Sequence, residues 1–468
     1  MVTRALLLLA TAMLGSSCQP PCGRDEAPVD AQAGPGGGGN LLVVVLDDVG
    51  VEQLTAYGLG KHTARTPTID CLCERGLRFD QVWASPSCSP ARAELLTGRY
   101  NRRTGIGSIF GPRTTNGHEM PTEEDTLPRV LSRAGYRTGL FGKWHLTDPN
   151  TPDAATHPNR SGFERFAGSI GNLNATTSGE RHQFYSEWER VADGAAAMTT
   201  RYPTVQLVDD ALDFVDEVEG EPWLVVLSFQ SPHVPLHWPP GRLWRDVEPG
   251  YSVDHQRYLA MVESVDHELG RFLRRLPRDV RADTTVVLTS DNGSHRSMVD
   301  PTWPIRGAKT TVYELGVRVP LVVTGPALSA GRGESTDALA HLVDVLPTFA
   351  EIAGAVPEAD LDGVSLGAVL ADPAADARTT VATAKFLPMG LDRPHRPLTR
   401  AIRDATHKLV VNPDGREELF LVGPEVVVEG DDLLRTGVSA EDQAHLEALR
   451  DALAEVEEAV TREVDAVE

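Results

Sequence analysis

Leu41-Leu42-Val43-Val44-Val45-Leu46 is a run of six apolar residues with no polar residue alternating among them. A strand with one solvated face does not read that way, so the run predicts a strand covered on both sides, as in a parallel sheet between helices. The stretches Arg137 to Phe141, Trp223 to Phe229, Thr284 to Thr289 and Val319 to Val323 read alike. Between them lie helical patterns: Val205, Val208, Leu212 and Val215 within Pro203 to Val218, then Leu259, Val262, Val265, Leu269 and Phe272 within Tyr258 to Leu273. The alternation predicts an α/β sheet covered on both faces, spanning residues 41–375.

After Gly363 the pattern changes to short strand-like pieces: Thr379 to Ala384, Ala401 to Arg403, Lys408 to Val411 and Glu418 to Leu421. Asn412-Pro413-Asp414-Gly415 is a turn signal between two of them. A small antiparallel sheet with a closing helix is expected over residues 376–468. Residues 441–468 hold ten carboxylates against two arginines, with Ala, Leu and Val at helical spacing. This predicts a helix with a solvated acidic face.

Met1-Val2-Thr3-Arg4 precedes a short apolar run, Ala5 to Leu14, and then Gly15-Ser16-Ser17-Cys18. Charge, short apolar stretch and small residues in that order form an export signal over residues 1–18, too short to span a bilayer permanently. The segment around Cys18 resembles a bacterial lipoprotein cleavage site, with Gly15 where leucine is usual. A periplasmic, membrane-anchored lipoprotein and a simply secreted protein both fit. Residues 19–40, with Pro20, Pro21, Pro35 and four successive glycines, read as a flexible tether.

Forty-four basic residues against sixty-seven acidic ones give a formal net charge of -23, which repels nucleic-acid phosphates and excludes a nucleic-acid partner. The five cysteines do not form a disulfide framework. Cys71 and Cys73 flank one residue of an expected helix and face apart, so both are expected as small buried hydrophobes. Cys22 is left as a free tether thiol or a partner for Cys18. No Cys/His spacing suggests structural zinc.

In open α/β sheets, ligands bind where strands end at their carboxyl edge. Four polar clusters fall at such ends: Asp47-Asp48, Lys143 with His145, Gln230 to His233, and Asp291-Asn292. Any one alone reads equally well as a helix cap or turn, a surface lysine or a core histidine. Together they converge. Adjacent aspartates repel unless a cation sits between them, so a metal is expected, and the all-oxygen donors Asp47, Asp48, Asp291 and Asn292 select calcium or magnesium over zinc.

Cys88 opens Cys88-Ser89-Pro90-Ala91-Arg92, with Pro90 suited to a first helical turn. A cysteine at a helix N-terminus lies where amides and macrodipole favour an anion, whether thiolate or bound sulfate or phosphate. Arg92, one turn on, supplies a positive partner.

The pentapeptide resembles the Cys-x-Pro-x-Arg signature of the type I, formylglycine-dependent sulfatases of the alkaline-phosphatase-like superfamily. So does its setting: Asp47-Asp48, Thr97-Gly98-Arg99, Gly142-Lys143-Trp144-His145, Pro232-His233, Ser290-Asp291-Asn292-Gly293, then Lys309 with Glu314 to Pro320. The likeness is firm over residues 40–325 and looser at Arg403 to Val411 and Pro413 to Leu419. Leu315 stands where a second glycine is common, and Leu421 to Glu429 replaces an acidic turn.

The resemblance implies a large mixed, mostly parallel sheet flanked by helices, a small C-terminal antiparallel sheet with a helix, and sulfate-ester hydrolysis. It implies that a formylglycine-generating enzyme oxidises Cys88 to 3-oxoalanine, whose hydrate attacks sulfur and later expels sulfate through its second hydroxyl. One Ca2+ would be held by Asp47, Asp48, Asp291, Asn292 and the residue at Cys88. Arg92 would orient the hydrate. Lys143, His233 and Lys309 would bind sulfate, with His233 or Lys309 protonating the leaving alcohol and His145 taking the hydrate's proton.

The substrate would be a sulfated small molecule or glycan. Two other readings stay open: a phosphonate monoester or phosphodiester hydrolase on the same site, and a non-catalytic sulfate-binding lipoprotein. His237, Trp238 and His295 are candidates for the substrate entrance. His118 and the segment 168–190, with His182, Phe184, Tyr185 and Trp188, have the composition of a substrate loop and equally of ordinary packing.

Overall fold

The computed structural model describes residues 38–111, 118–173, 176–177, 181–182, 184–245, 252–300, 302–303, 307–391 and 398–467. The expected export signal, Cys18, Cys22, nearly all of the tether and the side chain of His182 lie outside the described residues.

The large sheet has ten strands: β1 (Asn40–Leu46), β2 (Leu77–Trp83), β3 (Arg137–Lys143), β4 (Arg165–Ser169), β5 (Trp188–Ala192), β6 (Ala195–Thr199), β7 (Trp223–Ser228), β8 (Thr284–Ser290), β9 (Leu321–Thr324) and β10 (Glu334–His341). Their spatial order is β10-β2-β9-β8-β1-β7-β3-β4-β5-β6. The five central strands from β8 to β4 run parallel, while β9, β5 and β6 pair antiparallel. The sheet is therefore mixed and mostly parallel, as expected. β1 begins at Asn40, one residue inside the expected tether, because the Asn40 amide donates to the Asp283 carbonyl at 2.8 Å.

The unalternating apolar run has the expected physical cause. Leu41, Val43 and Val45 belong to the hydrophobic core on one face, and Leu42, Val44 and Leu46 to the core on the other. Helices α1 (Pro67–Arg75), α2 (Cys88–Thr97), α3 (Pro203–Glu217), α4 (Val253–Arg275) and α5 (Val345–Ala353) cover these faces. Ile69, Val208 and Leu259 from α1, α3 and α4 belong to the core that holds Leu42, whereas Ala91 of α2 and Phe349 of α5 join the opposite core.

Val381–Phe386 (β11), Leu398–Arg403 (β12), His407–Val411 (β13) and Glu417–Leu421 (β14) form the small antiparallel sheet. The acidic C-terminal segment is helix α6 (Ala440–Val467), which buries Leu446, Leu449 and Leu453 against Ile402 and Leu409. The two sheets meet around Lys408, whose Nζ donates to Glu314 Oε1 at 3.1 Å and Glu429 Oε1 at 2.7 Å.

One expectation is corrected. Cys71 is disulfide-bonded, and since Cys73 and Cys88 are free, its partner lies outside the described residues. Helix geometry does forbid a bridge to Cys73, but a distant cysteine is not constrained by it. Among the described residues, no helix is long and apolar enough to cross a membrane.

Candidate active site

The carboxyl ends of β1, β3, β7 and β8 are adjacent in the sheet, and each delivers its polar cluster to one place. Asp47 and Asp48 leave β1, and their loop is pinned to the end of β8 by three successive amides. Asp48 N donates to Asp291 Oδ1 at 3.2 Å, Val49 N to Ser290 Oγ at 3.1 Å and Gly50 N to Ser294 Oγ at 3.0 Å. The turn this demands puts Asp48 in the left-handed region at φ 67, and His145 after β3 does the same at φ 61. Thr310, next to Lys309, is left-handed at φ 74, unusual for a β-branched residue. Each such residue costs on the order of 1–3 kcal/mol, tolerated where the surroundings fix it.

Cys88 is the first residue of α2, as expected, and is fully buried. Its loop is held from two sides: Ser85 donates from N to Glu94 Oε2 at 3.0 Å and from Oγ to Oε1 at 2.8 Å, and Thr310 N donates to the Pro86 carbonyl at 2.6 Å. Lys309 N also donates to the Ser294 carbonyl at 2.9 Å, so the Lys309 loop bridges the Cys88 and Asp291 segments.

One oxygen each of Asp47, Asp48 and Asp291, with Cys88 Sγ, lie within 4.8 Å of one another, all buried. Three cations interleave them. Lys143 Nζ donates to Asp47 Oδ2 at 2.5 Å, Lys309 Nζ lies 2.5 Å from Asp48 Oδ1, and Arg92 donates from Nε and Nη2 to Asp291 Oδ2 at 3.0 and 2.8 Å. The adjacent aspartates are thus neutralised partly by the chain itself, so their adjacency alone does not demand a metal.

Two other observations show that these residues fit one. Asn292 Nδ2 donates to Asp48 Oδ1 at 2.8 Å, yet its Oδ1 is buried with no partner, an oxygen donor without a cation. Burial, with Asp291 adding to it, pushes the Asp47 carboxyl up to about 7, whereas Lys309 and His233 hold Asp48 low and Arg92 and Lys143 hold Asp291 low, so Asp47 is the carboxyl the chain compensates least. Oxygen donors in this number suit a hard divalent ion.

Of the two anions the helix start would favour, a thiolate or a bound sulfate or phosphate, the thiolate is disfavoured by the surroundings of Cys88. Burial and the charge of Asp291 outweigh Lys143 and Lys309 and push the thiol up to about 12, overriding the helix N-terminus. An unmodified Cys88 is therefore a neutral thiol at physiological pH.

The two histidines are prepared differently. His233 Nδ1 bonds to the Val234 carbonyl at 2.8 Å, leaving Nε2 4.0 Å from Asp48 Oδ2. Burial, then Lys309 and Lys143, push its pKa down to about 3, so the ring is neutral. His145 Nε2 bonds to the Phe110 carbonyl at 3.1 Å, while Nδ1 is buried and unpartnered. Burial, then Lys143 and Arg92, hold His145 well below the usual range, so Nδ1 keeps its lone pair.

Three further residues position the site, of which Ser228 and Phe110 carry no sequence signal and Tyr185 reads from the sequence only as a substrate-loop candidate. Ser228 Oγ accepts from Arg92 Nη1 at 2.6 Å and donates to the Lys143 carbonyl at 2.6 Å, fixing two site residues at once. Phe110 links the helix start to His145, because its amide donates to Ser89 Oγ at 3.0 Å while its carbonyl receives His145. Tyr185 OH donates to the carbonyls of Gln230 and His233 at 2.6 and 2.8 Å, bracing the His233 loop.

The structure sorts the remaining candidates. Tyr185 and Trp188 are buried with Tyr202 and Met261, so Trp188 is packing and Tyr185 reaches the site only through the His233 loop it braces. Phe184 is exposed, and Trp238 is exposed and stacks on Trp244 with centroids 4.7 Å apart. His237 is half-buried against Tyr202, receiving its hydroxyl at 3.0 Å. His295 is exposed and caps a short 3-10 turn by accepting from Ser297 N, and His118 is half-buried; neither joins the buried cluster.

A family model described as Sulfatase matches residues 39–355. Steryl-sulfatase of Rattus norvegicus is 30% identical over 417 residues, covering 71% of this chain and 70% of that protein. Arylsulfatase J of Mus musculus is 28% identical over 363 residues, covering 73% of this chain and 57% of that protein. Among solved structures, Ps i-CgsB in complex with k-i-k-neocarrahexaose matches with a TM-score of 0.74 at 24% identity, covering 88% of this chain and 92% of that one, a likeness of fold.

Proposed function

The chain belongs to the sulfatase family as a sulfuric ester hydrolase of alkaline-phosphatase-like fold, and from that premise we propose that it cleaves sulfate monoesters with formylglycine made from Cys88 and one Ca2+. The observation that carries this is the convergence of Cys88 Sγ with Asp47, Asp48 and Asp291 at the head of a buried helix.

Asp47, Asp48, Asp291 and Asn292 would hold the calcium. The ion would supply charge to a sulfate oxygen and acidity to the hydroxyl at residue 88, and the aldehyde hydrate would supply that hydroxyl as nucleophile. Arg92, fixed by Asp291 and Ser228, orients residue 88 and adds positive charge. Lys143 and Lys309, positioned by ion pairs with Asp47 and Asp48, bind sulfate oxygens. Either His233 or Lys309 protonates the departing alcohol, and Lys309 is the one that carries a proton at neutrality, since Asp48 raises its pKa and His233 is neutral. His145 Nδ1, without a partner, is the base for the hydrate's remaining proton.

The substrate would be a sulfated small molecule or glycan, and export through the segment 1–18, with or without a lipid on Cys18, would place the enzyme outside the cytoplasm. The test is turnover of aryl sulfates, aryl phosphates and aryl phosphodiesters by purified protein, with Cys88→Ala as control. Sulfate turnover that the variant loses entirely, while keeping its fold, supports the reading. A preference for phosphodiesters, or activity remaining in the variant, contradicts it.

A further inference from the structure

The C-terminal sheet carries a second set of ligating side chains on elements the active site does not use. Asp404 lies in the turn from β12 to β13, His407 opens β13, and His445 sits near the start of α6. One carboxylate oxygen and one nitrogen from each ring lie within 4.8 Å of one another.

Each donor is already oriented. The amides of Thr406 and His407 donate to Asp404 Oδ1 at 2.8 and 2.7 Å, leaving Oδ2 to His445 Nδ1 at 2.6 Å. The two imidazoles stack with centroids 4.0 Å apart and planes within 15°, so one ring must turn about its Cβ–Cγ bond for both to meet a single ion. Independently, His407 Nε2 bonds to Asp442 Oδ1 at 3.0 Å. Asp442 is itself fixed, because its Oδ2 accepts from Ser439 N at 2.8 Å and its amide donates to Ser439 Oγ at 3.1 Å, a reciprocal cap on α6.

For His407, Asp442 on Nε2 sets the tautomer and leaves the other nitrogen as a lone-pair donor, the outer arrangement of a metal-binding histidine, whereas Asp404 meets His445 directly as a fellow ligand. The remaining His407 nitrogen, Nδ1, has only the Thr406 hydroxyl at 2.8 Å, which can donate to it.

We propose that Asp404, His407 and His445 bind one divalent transition-metal ion of the zinc class, with Asp442 orienting His407, and that the ion staples α6 to the small sheet. Two imidazoles and a carboxylate select zinc-like ions, whereas the oxygen donors of the active site select calcium, so the two sites differ in metal preference. The His445 side chain is 33% exposed, which gives the ion an entry path.

The test uses full-length protein stripped by chelator, saturated with Ca2+ and titrated with Zn2+ by calorimetry, with thermal unfolding in parallel. One equivalent of Zn2+ binds and raises the unfolding midpoint, and His445→Ala loses that equivalent while keeping sulfatase activity and circular dichroism. Asp442→Asn weakens the affinity about 10- to 100-fold. No zinc binding by the calcium-saturated wild type overturns the proposal. So does equal zinc binding by wild type, His445→Ala and the second variant His407→Ala.

Discussion

Lys309 Nζ lies 3.2 Å from Cys88 Sγ, although 221 residues separate them in the chain. A charged amine that close to the reacting residue can act as a proton donor or as an electrostatic clamp, and the leaving group distinguishes the two. As proton donor, Lys309 should matter most for poor leaving groups. Lys309→Ala is expected to lower kcat/KM for an alkyl sulfate by about 10²–10⁴-fold and to affect para-nitrophenyl sulfate far less. Equal losses on both substrates would assign Lys309 to sulfate binding alone.

Asp291 Oδ2 accepts from Arg92 Nε and Nη2, and a carboxylate oxygen of Asp291 belongs to the buried cluster with Asp47, Asp48 and Cys88. Asp291→Asn removes an anionic ligand, so activity should half-saturate at higher calcium than in the wild type, and chelation should abolish activity in both proteins. A calcium titration that does not move argues against this metal site.

Glu94 ties the start of the Cys88 loop to α2 and is pushed up to about 8 by burial, since its three donors include no cation. A carboxyl whose pKa is higher folded than unfolded stabilises the fold fully below its ordinary 4.5, and that contribution is lost as pH rises through about 8. With about 1.4 kcal/mol per pKa unit, the loss reaches several kcal/mol. The wild-type melting temperature should therefore fall from pH 6 to pH 9, and Glu94→Gln should flatten that slope. Parallel slopes would refute the assignment.

Lys408 is fully buried between the two sheets, over the Trp83 ring at 4.5 Å and bonded to Glu314 and Glu429. Lys408→Met leaves two buried carboxylates short of a cation and should cost about 3–5 kcal/mol in urea unfolding. A loss below about 1 kcal/mol would mean that water reaches this interface.

Much of the fold was legible because burial leaves a direct trace: β1, buried on both faces, has no choice but to read as Leu and Val throughout. The strands that were not legible are those nearer the edges. β2 interleaves Arg78 and Asp80, and β10 opens with Glu334-Ser335, because such strands keep some contact with solvent. Asp47-Asp48, Lys143 with His145, His233 and Asp291-Asn292 were legible because each follows an apolar run, Cys88 and Arg92 because they open a helix, and Lys309 only through the family resemblance, which the family match bears out. Phe110 and Ser228 were not, since one acts through its backbone carbonyl and the other is a serine among many. The Cys71 bridge escaped for a related reason: pairing between distant cysteines is set by the fold and not by spacing.

The central claim concerns the chemical state of residue 88 and is open to mass spectrometry of the tryptic peptide from Phe79 to Arg92, taken from catalytically active protein. The expected spectrum shows 3-oxoalanine in place of cysteine, captured by a hydrazide probe in proportion to specific activity. Full activity in a preparation whose peptide carries only the unmodified thiol would contradict the account.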